Sequence, residues 1–202
     1  MAVTYTLIPL HLRQDFIPAC IKVLKHEWPQ CKAELLPRLE NAKCTGLSCS
    51  LGLIEHRDHA LPKDTVIGHV RFVPVTNRPK AVFIEGQCID GAKRGRGLGK
   101  IIRDRTEEFL GKLGYHEVHL HTDASHKGFY LRQGYRVHKF LVHTGGANLL
   151  RTFGDVASWH GNTASRGWEE EYEGPIATEE EVTDGVLGFF FVKSLVEVST
   201  QD

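Results

Sequence analysis

Between residues 94 and 100 the chain reads RGRGLGK, three glycines set among Arg94, Arg96 and Lys100. The stretch follows the apolar run VFIEGQCID and precedes a segment with helical spacing. A helix N-terminus offers N–H groups with no intrahelical acceptor and the positive end of the helix dipole, and glycine lets a polyanion approach the main chain. Arg94, Gly95, Arg96, Gly97, Leu98, Gly99 and Lys100 therefore read as a seat for a phosphate or diphosphate. The spacing is not the G-x-G-x-x-G of a dinucleotide fingerprint, nor the G-x-x-x-x-G-K-S/T of a Walker loop. Metal chemistry is not expected. Cys20, Cys31, Cys44, Cys49 and Cys88 are odd in number and form no C-x-x-C, and His119 and His121 share a strand face without a further ligand at the right spacing.

The elements that must hold this seat follow from periodicity. Residues 3–8 predict an opening strand, and a helix from about Asp15 carries Phe16, Ile17, Cys20, Val23 and Leu24 on one stripe until Pro29 stops it just after Trp28. QCKAELLPRLENAKC, residues 30–44, predicts a short second helix or helical loop. Strands at 47–55 and 65–73 flank the turn-rich HRDHALPKD as a hairpin, and 82–89 is the next strand. After the glycine stretch, Leu98, Ile101, Ile102, Phe109, Leu110 and Leu113 recur at helical spacing. A strand at 117–122, a short helix KGFYLRQ closed by Gly134, and a strand YRVHKFLVH come next. Residues 144–184, rich in Gly, Ser, Thr and Glu, predict a long loop insertion before a last strand within GVLGFFFVKSLVEV. The order predicts mixed α/β, one domain over 1–202.

Composition bounds the rest. The 25 basic residues balance 25 acidic ones, so no global field recruits nucleic acid or a membrane surface. The start MAVTYTLIPL lacks the features of a signal peptide and no run approaches a membrane span, which predicts a reducing compartment, cytosol or nucleus, with the cytosol favoured.

R-x-x-G-x-G, here Arg94 to Gly99, resembles the pyrophosphate motif of the GNAT superfamily of acetyl-CoA-dependent acetyltransferases. Its setting between strand and amphipathic helix strengthens the likeness, as does GFYLRQGY at 128–135, similar to the family's tyrosine-bearing helix. Within the family one branch is similar in four segments, HEWPQCK (26–32), VIGHVRF (66–72), KRGRGLG (93–99) and VHLHTDASHKGFYLRQGY (118–135). That branch is the N-terminal acetyltransferases of processed actin. The resemblance covers residues 3–142 and the last strand, and implies a seven-stranded mixed sheet, flanked by helices, in which the fourth and fifth strands splay apart. It implies acetyl-CoA as acetyl donor. Pantetheine would meet the main chain at Cys88, Ile89 and Asp90, the diphosphate would meet N–H groups from Arg94 to Lys100, and Ser125 would join the coenzyme contacts.

The same likeness assigns chemistry. An α-amino group, which ordinarily titrates near 7.8, is roughly one tenth to one fifth neutral at pH 7, against well under a thousandth of a lysine near 10.4, so an N-terminal acceptor demands only a modest base. Glu85, through water, is the first candidate, with His121 and Asp123 as alternatives; pairing of Glu85 with Arg71 or Lys80 is the structural reading of the same residue. Tyr130 is the candidate acid for the departing thiolate. An acidic acceptor such as the actin N-terminus requires cations beside the site, for which Arg38, Lys43, His69 and Arg71 are candidates, with Trp28 as an apolar wall. The alternatives are acetylation of a lysine or small amine, and a non-catalytic acetyl-CoA-binding module.

Overall fold

A computed structural model describes residues 3–28, 39, 48–57, 64–76, 78–137 and 189–195. Its strands are β1 (Val3–Pro9), β2 (Cys49–Arg57), β3 (Asp64–Pro74), β4 (Ala81–Ile89), β5 (Glu117–Thr122), β6 (Arg136–Val137) and β7 (Phe189–Ser194). The described helices of eight or more residues are α1 (Ile17–Glu27), α2 (Leu98–Lys112) and α3 (Ala124–Arg132). The strands form one mixed sheet in the order β1-β2-β3-β4-β5-β7-β6, antiparallel at β1–β2, β2–β3, β5–β7 and β6–β7 and parallel at β4–β5. This is the mixed α/β order that the sequence predicts and the seven-stranded mixed sheet that the family resemblance implies.

The chain divides into two units. The first holds residues 1–73, 84–114 and 197–202, the second 74–83 and 115–196, so β4 begins in the second and ends in the first. In the first unit α1 lays Ile17, Cys20, Ile21 and Leu24, an i, i+3, i+4, i+7 stripe, against Leu10, Phe16, Ile54, Val66 and Cys88. Each such aliphatic side chain, fully buried, contributes about 1.5–3 kcal/mol. The helix stops where the sequence predicts. Trp28 precedes Pro29, whose ring disfavours helical backbone at the residue before it, and Trp28 accordingly sits at φ −127°, ψ 107°.

β2 is buried along Cys49–Glu55, which is why LSCSLGLIE reads as a run rather than an alternation. It pairs with β3 in the expected hairpin, Leu53 opposite Gly68 and Gly52 opposite His69. A Cβ at Gly68 would lie 2.8 Å from Ile89 Cδ1 and 2.9 Å from the Cys88 carbonyl oxygen, so glycine there is what lets β3 and β4 close up. α2 buries Leu98, Ile102, Thr106 and Leu110 along one line, with Phe109 against Phe72 at 5.8 Å between ring centres. Leu113, which the periodicity includes in the buried stripe, is 50% exposed, because it stands past the last helical turn.

In the second unit β7 lies between β5 and β6, and Phe191 faces Leu120 on one side and Val137 on the other. Tyr130 of α3 packs against both Tyr135 and Phe191. α3 starts at Ala124, three residues before the predicted KGFYLRQ, because Asp123 caps it: its carboxylate accepts from the His126 N–H at 3.2 Å. The predicted second helix at 30–44, apart from buried Leu39, the strand residues 138–143 and the loop at 144–184 lie outside the described residues. Among the described residues no helix is long and apolar enough to cross a membrane.

Candidate active site

The glycine loop sits in the first unit, between β4 and α2. Asp90 opens it by accepting from the Ala92 N–H at 3.0 Å, which fixes a single 3-10 turn at Gly91–Lys93. Gly95 and Gly97 both adopt φ +75°, where a Cβ would meet nothing within 4 Å among the described residues but the backbone itself is unfavourable for other residues. Gly97 is the N-cap of α2, and its carbonyl accepts from Lys100 and Ile101, so the N–H groups of Leu98 and Gly99 start the helix with no intrahelical acceptor. Leu98 turns its side chain inward, 2% exposed, and so pins the first helical turn to the core while its main chain stays at the helix mouth. Arg96 and Lys100 are exposed, Lys100 within 2.6 Å of Asp104. The loop fits an anionic group through its positive-φ glycines and helix-opening N–H groups.

The Arg94 side chain is tied to two other elements. Its Nε donates to the Ile89 carbonyl at 3.1 Å and its guanidinium pairs with Glu27 at the end of α1. Lys93 reaches back to Glu55. These two carboxylates escape sequence reasoning because they lie 67 and 38 residues from their partners.

β4 supplies the remaining predicted groups of this unit. Cys88 and Ile89 are buried, and the Asp90 N–H donates to the Ile67 carbonyl at 2.9 Å. Of the three main-chain positions expected to meet pantetheine, the Asp90 N–H is therefore already spent on β3 and the Ile89 carbonyl holds Arg94. The Cys88 thiol is pushed up to about 12, first by burial and then by Glu27, so it is neither a thiolate nor a nucleophile at neutral pH. Upstream, Gly86 takes φ +60° within the strand, and its carbonyl meets His69 Nδ1 at 2.8 Å. Only an Nδ1–H can donate to that carbonyl, which fixes the tautomer. Burial lowers the His69 pKa to about 4, so His69 is neutral near pH 7 and leaves the set of cations expected to greet an acidic acceptor. Glu85 and Arg71 meet at 2.6 Å, with side chains 6% and 18% exposed. The base candidate thus carries the ion pair that its structural reading predicted, and Arg71 spends its charge on it. Trp28, at the end of α1, packs half-buried against the core cluster.

The second unit holds the other candidates. Tyr130 is 8% exposed, edge-on to Phe129 at 5.0 Å and to Tyr135 at 5.5 Å and tilted over Phe191 at 5.6 Å, so its ring is fixed by aromatic packing. His121 stands opposite Phe190 in the β5–β7 ladder. Asp123 accepts from Ser125 Oγ at 2.5 Å and lies 2.9 Å from His126 Nδ1, contacts that hold its carboxyl down to about 2. A carboxylate that acidic is a helix cap and a poor base, and Ser125, expected at the coenzyme, gives its hydroxyl to that cap. His119 is buried 3.2 Å from Glu117, and burial keeps its pKa below the ordinary value despite that neighbour. Among the described residues no cluster of three or more metal-ligating side chains occurs. Arg38 and Lys43 lie outside the described residues.

Comparison with known proteins adds a family. The profile of the acetyltransferase (GNAT) family matches residues 16–135. Mouse N-alpha-acetyltransferase 80 is 28% identical over 125 residues, which is 62% of this chain and 39% of that protein; the chain spans about two fifths of this relative's length. The structure resembles the ribosomal-protein-S18-alanine N-acetyltransferase of Escherichia coli, with a TM-score of 0.56 and 12% identity over 98% of this chain and 99% of that one. It also resembles the PaiA N-acetyltransferase of Thermoplasma acidophilum solved in complex with coenzyme A, with a TM-score of 0.52 and 11% identity over 96% of this chain and 99% of that one. At such identities the structural likeness is one of fold.

Proposed function

Because the chain belongs to the GNAT family of acetyltransferases, we propose that it transfers acetyl from acetyl-CoA to the α-amino group of an acidic protein N-terminus, with processed actin the favoured acceptor. The observation that carries the reading is the loop from Arg94 to Lys100, where two positive-φ glycines lead into the opening N–H groups of α2. The N-terminal class of acceptor is supported by the likeness to mouse N-alpha-acetyltransferase 80. Free Cys20, Cys49 and Cys88 suit the cytosol as its compartment.

Acetyl-CoA supplies an activated thioester; the chain's residues bind, orient and move protons. The N–H groups of Leu98 and Gly99, with neighbouring loop amides, hold the diphosphate, and Arg96 and Lys100 add positive charge at its rim. Glu85, ion-paired with Arg71, takes up the proton of the attacking amine through water. An α-amino group releases that proton readily, so it demands only a modest base. Tyr130 offers the phenolic hydrogen to the departing thiolate. With His69 neutral and Arg71 paired with Glu85, recognition of the acceptor's carboxylates falls to Arg38 and Lys43.

The test is an acetylation assay on peptides beginning DDD, EEE and MDE, beside an internal-lysine control. Preference for the first two supports the actin-type reading. Turnover of the lysine peptide alone replaces it with a lysine acetyltransferase, and tight coenzyme binding without turnover replaces it with a binding module.

A further inference from the structure

The cations at the base of the glycine loop are tied into the protein. Lys93 Nζ lies 2.9 Å from Glu55 Oε1, with side chains 19% and 4% exposed, and Arg57 lies 2.7 Å from the same oxygen. Burial alone would raise the Glu55 carboxyl, but Lys93 and Arg57 outweigh it and hold it below the ordinary value. One residue on, Arg94 bridges the Ile89 carbonyl at 3.1 Å and the carboxylate of Glu27. The last turn of α1 is also pressed against the loop, since a Cβ at Gly91 would lie 2.9 Å from His26 Nε2. Two carboxylates from outside the motif, one on β2 and one closing α1, therefore clamp Lys93, just before it, and Arg94, its first residue, all within the first unit.

We infer that Glu27 and Glu55 are positioning residues for the coenzyme: they hold Arg94 and Lys93 as struts, so that the motif's leading arginine orients the loop amides instead of contacting the diphosphate. The inference rests on the seat assigned above. Its physical basis is directional. An N–H donor to phosphate weakens steeply when its angle falls away from linear, so a loop released at its base loses grip although every amide remains. Glu27 also neutralises part of the Arg94 charge, so the pull of Arg94 on an anion is weaker than that of an unpaired guanidinium. Among the described residues, Arg96 and Lys100 have no such tie to a distant element: Arg96 is exposed, and Lys100 pairs along its own helix, with Asp104.

Calorimetric titration with coenzyme A on Glu27→Gln, Arg94→Gln and their double variant decides the matter. Each single change is expected to raise Kd by roughly three- to tenfold, a fraction of a charge-assisted hydrogen bond, and the double change to do no more than Arg94→Gln alone, since Glu27 acts only through Arg94. The increase appears in KM for acetyl-CoA more than in kcat. Lys93→Met with Glu55→Gln forms a second cycle of the same kind; Lys93→Met leaves Glu55 its Arg57 partner and so keeps a folded readout. Arg96→Gln is expected to add to Glu27→Gln as an independent effect. Weakening by Arg94→Gln with none by Glu27→Gln, or full additivity of the pair, overturns the strut. Absence of any heat from the unaltered protein would remove the seat itself, a result distinguishable from failure of the struts alone.

Discussion

The two units present chemistry in opposite ways. In the first, the groups assigned to the coenzyme are main-chain amides, and the polar side chains around them are mostly tied to other parts of the fold: Lys93 to Glu55, Arg94 to Glu27, His69 to the Gly86 carbonyl. In the second, the assigned group is a single phenol, Tyr130, and the main chain and aromatic neighbours only aim it. A site of amides resists side-chain substitution and fails when backbone dihedrals change. A site of one hydroxyl fails by loss of one atom.

The sharpest form of that contrast is Tyr130→Phe, which removes the hydroxyl and keeps the ring among Phe129, Tyr135 and Phe191. It is expected to lower kcat by about 10²-fold or more, the usual worth of a positioned proton donor, with coenzyme Kd within about twofold. Steady-state kinetics beside calorimetry give both numbers, and undiminished turnover would end the acid assignment.

A second contrast sets His69 against Asp123, one buried and neutral, the other exposed and ionised. The folded state holds His69 near 4 while the unfolded chain titrates near 6.5. Its fold-stabilising effect is complete above 6.5, declines as the unfolded chain takes up a proton that the folded chain refuses, and is lost at about 4, a change of about 3 kcal/mol at most. His69→Asn keeps an N–H for the Gly86 carbonyl and cannot titrate. The melting temperature of the unaltered protein should therefore fall more between pH 7 and 4.5 than that of the variant; parallel curves would mean that His69 is not held neutral by burial. Asp123 works in another window. Its folded value of about 2 lies below the ordinary 3.8 of an aspartate, so its contribution is present above 3.8 and disappears only as pH falls toward 2.

What is legible in the sequence is what local spacing encodes. The stripe of α1, its stop before Pro29, the hairpin of β2 and β3 and the glycines before α2 all follow from residues close together in the chain. The same spacing overruns α2 by counting Leu113 in its buried stripe, because periodicity carries no signal for the final turn. Residue type offers His69 as a cation, whereas its charge is decided by burial that only the folded sheet creates. The partners of Lys93 and Arg94 are invisible for the same reason, since a strand and a helix remote in sequence deliver them. Asp123 is the instructive miss: an aspartate three residues before His126 is a cap signature, and the hydroxyl of Ser125 also donates to that cap.

Gly97→Val, the smaller test, probes the amide side of the comparison. Valine at φ +75° costs on the order of 1–2 kcal/mol, because its Cβ crowds the following carbonyl. Among the described residues no neighbour stands within 4 Å of that Cβ, so the penalty is one of backbone conformation. The chain can relieve it by rotating the Gly97 peptide out of the left-handed region, which turns the Leu98 N–H away from the axis of α2. Leu98 remains buried, so the fold persists and the cost falls on the seat. Coenzyme Kd should therefore rise by about five- to thirtyfold with little change in kcat once the coenzyme is saturating. Gly97→Ala, lacking the β-branch, should rise less, and a Kd equal in all three proteins would show that the diphosphate does not bind at the mouth of α2.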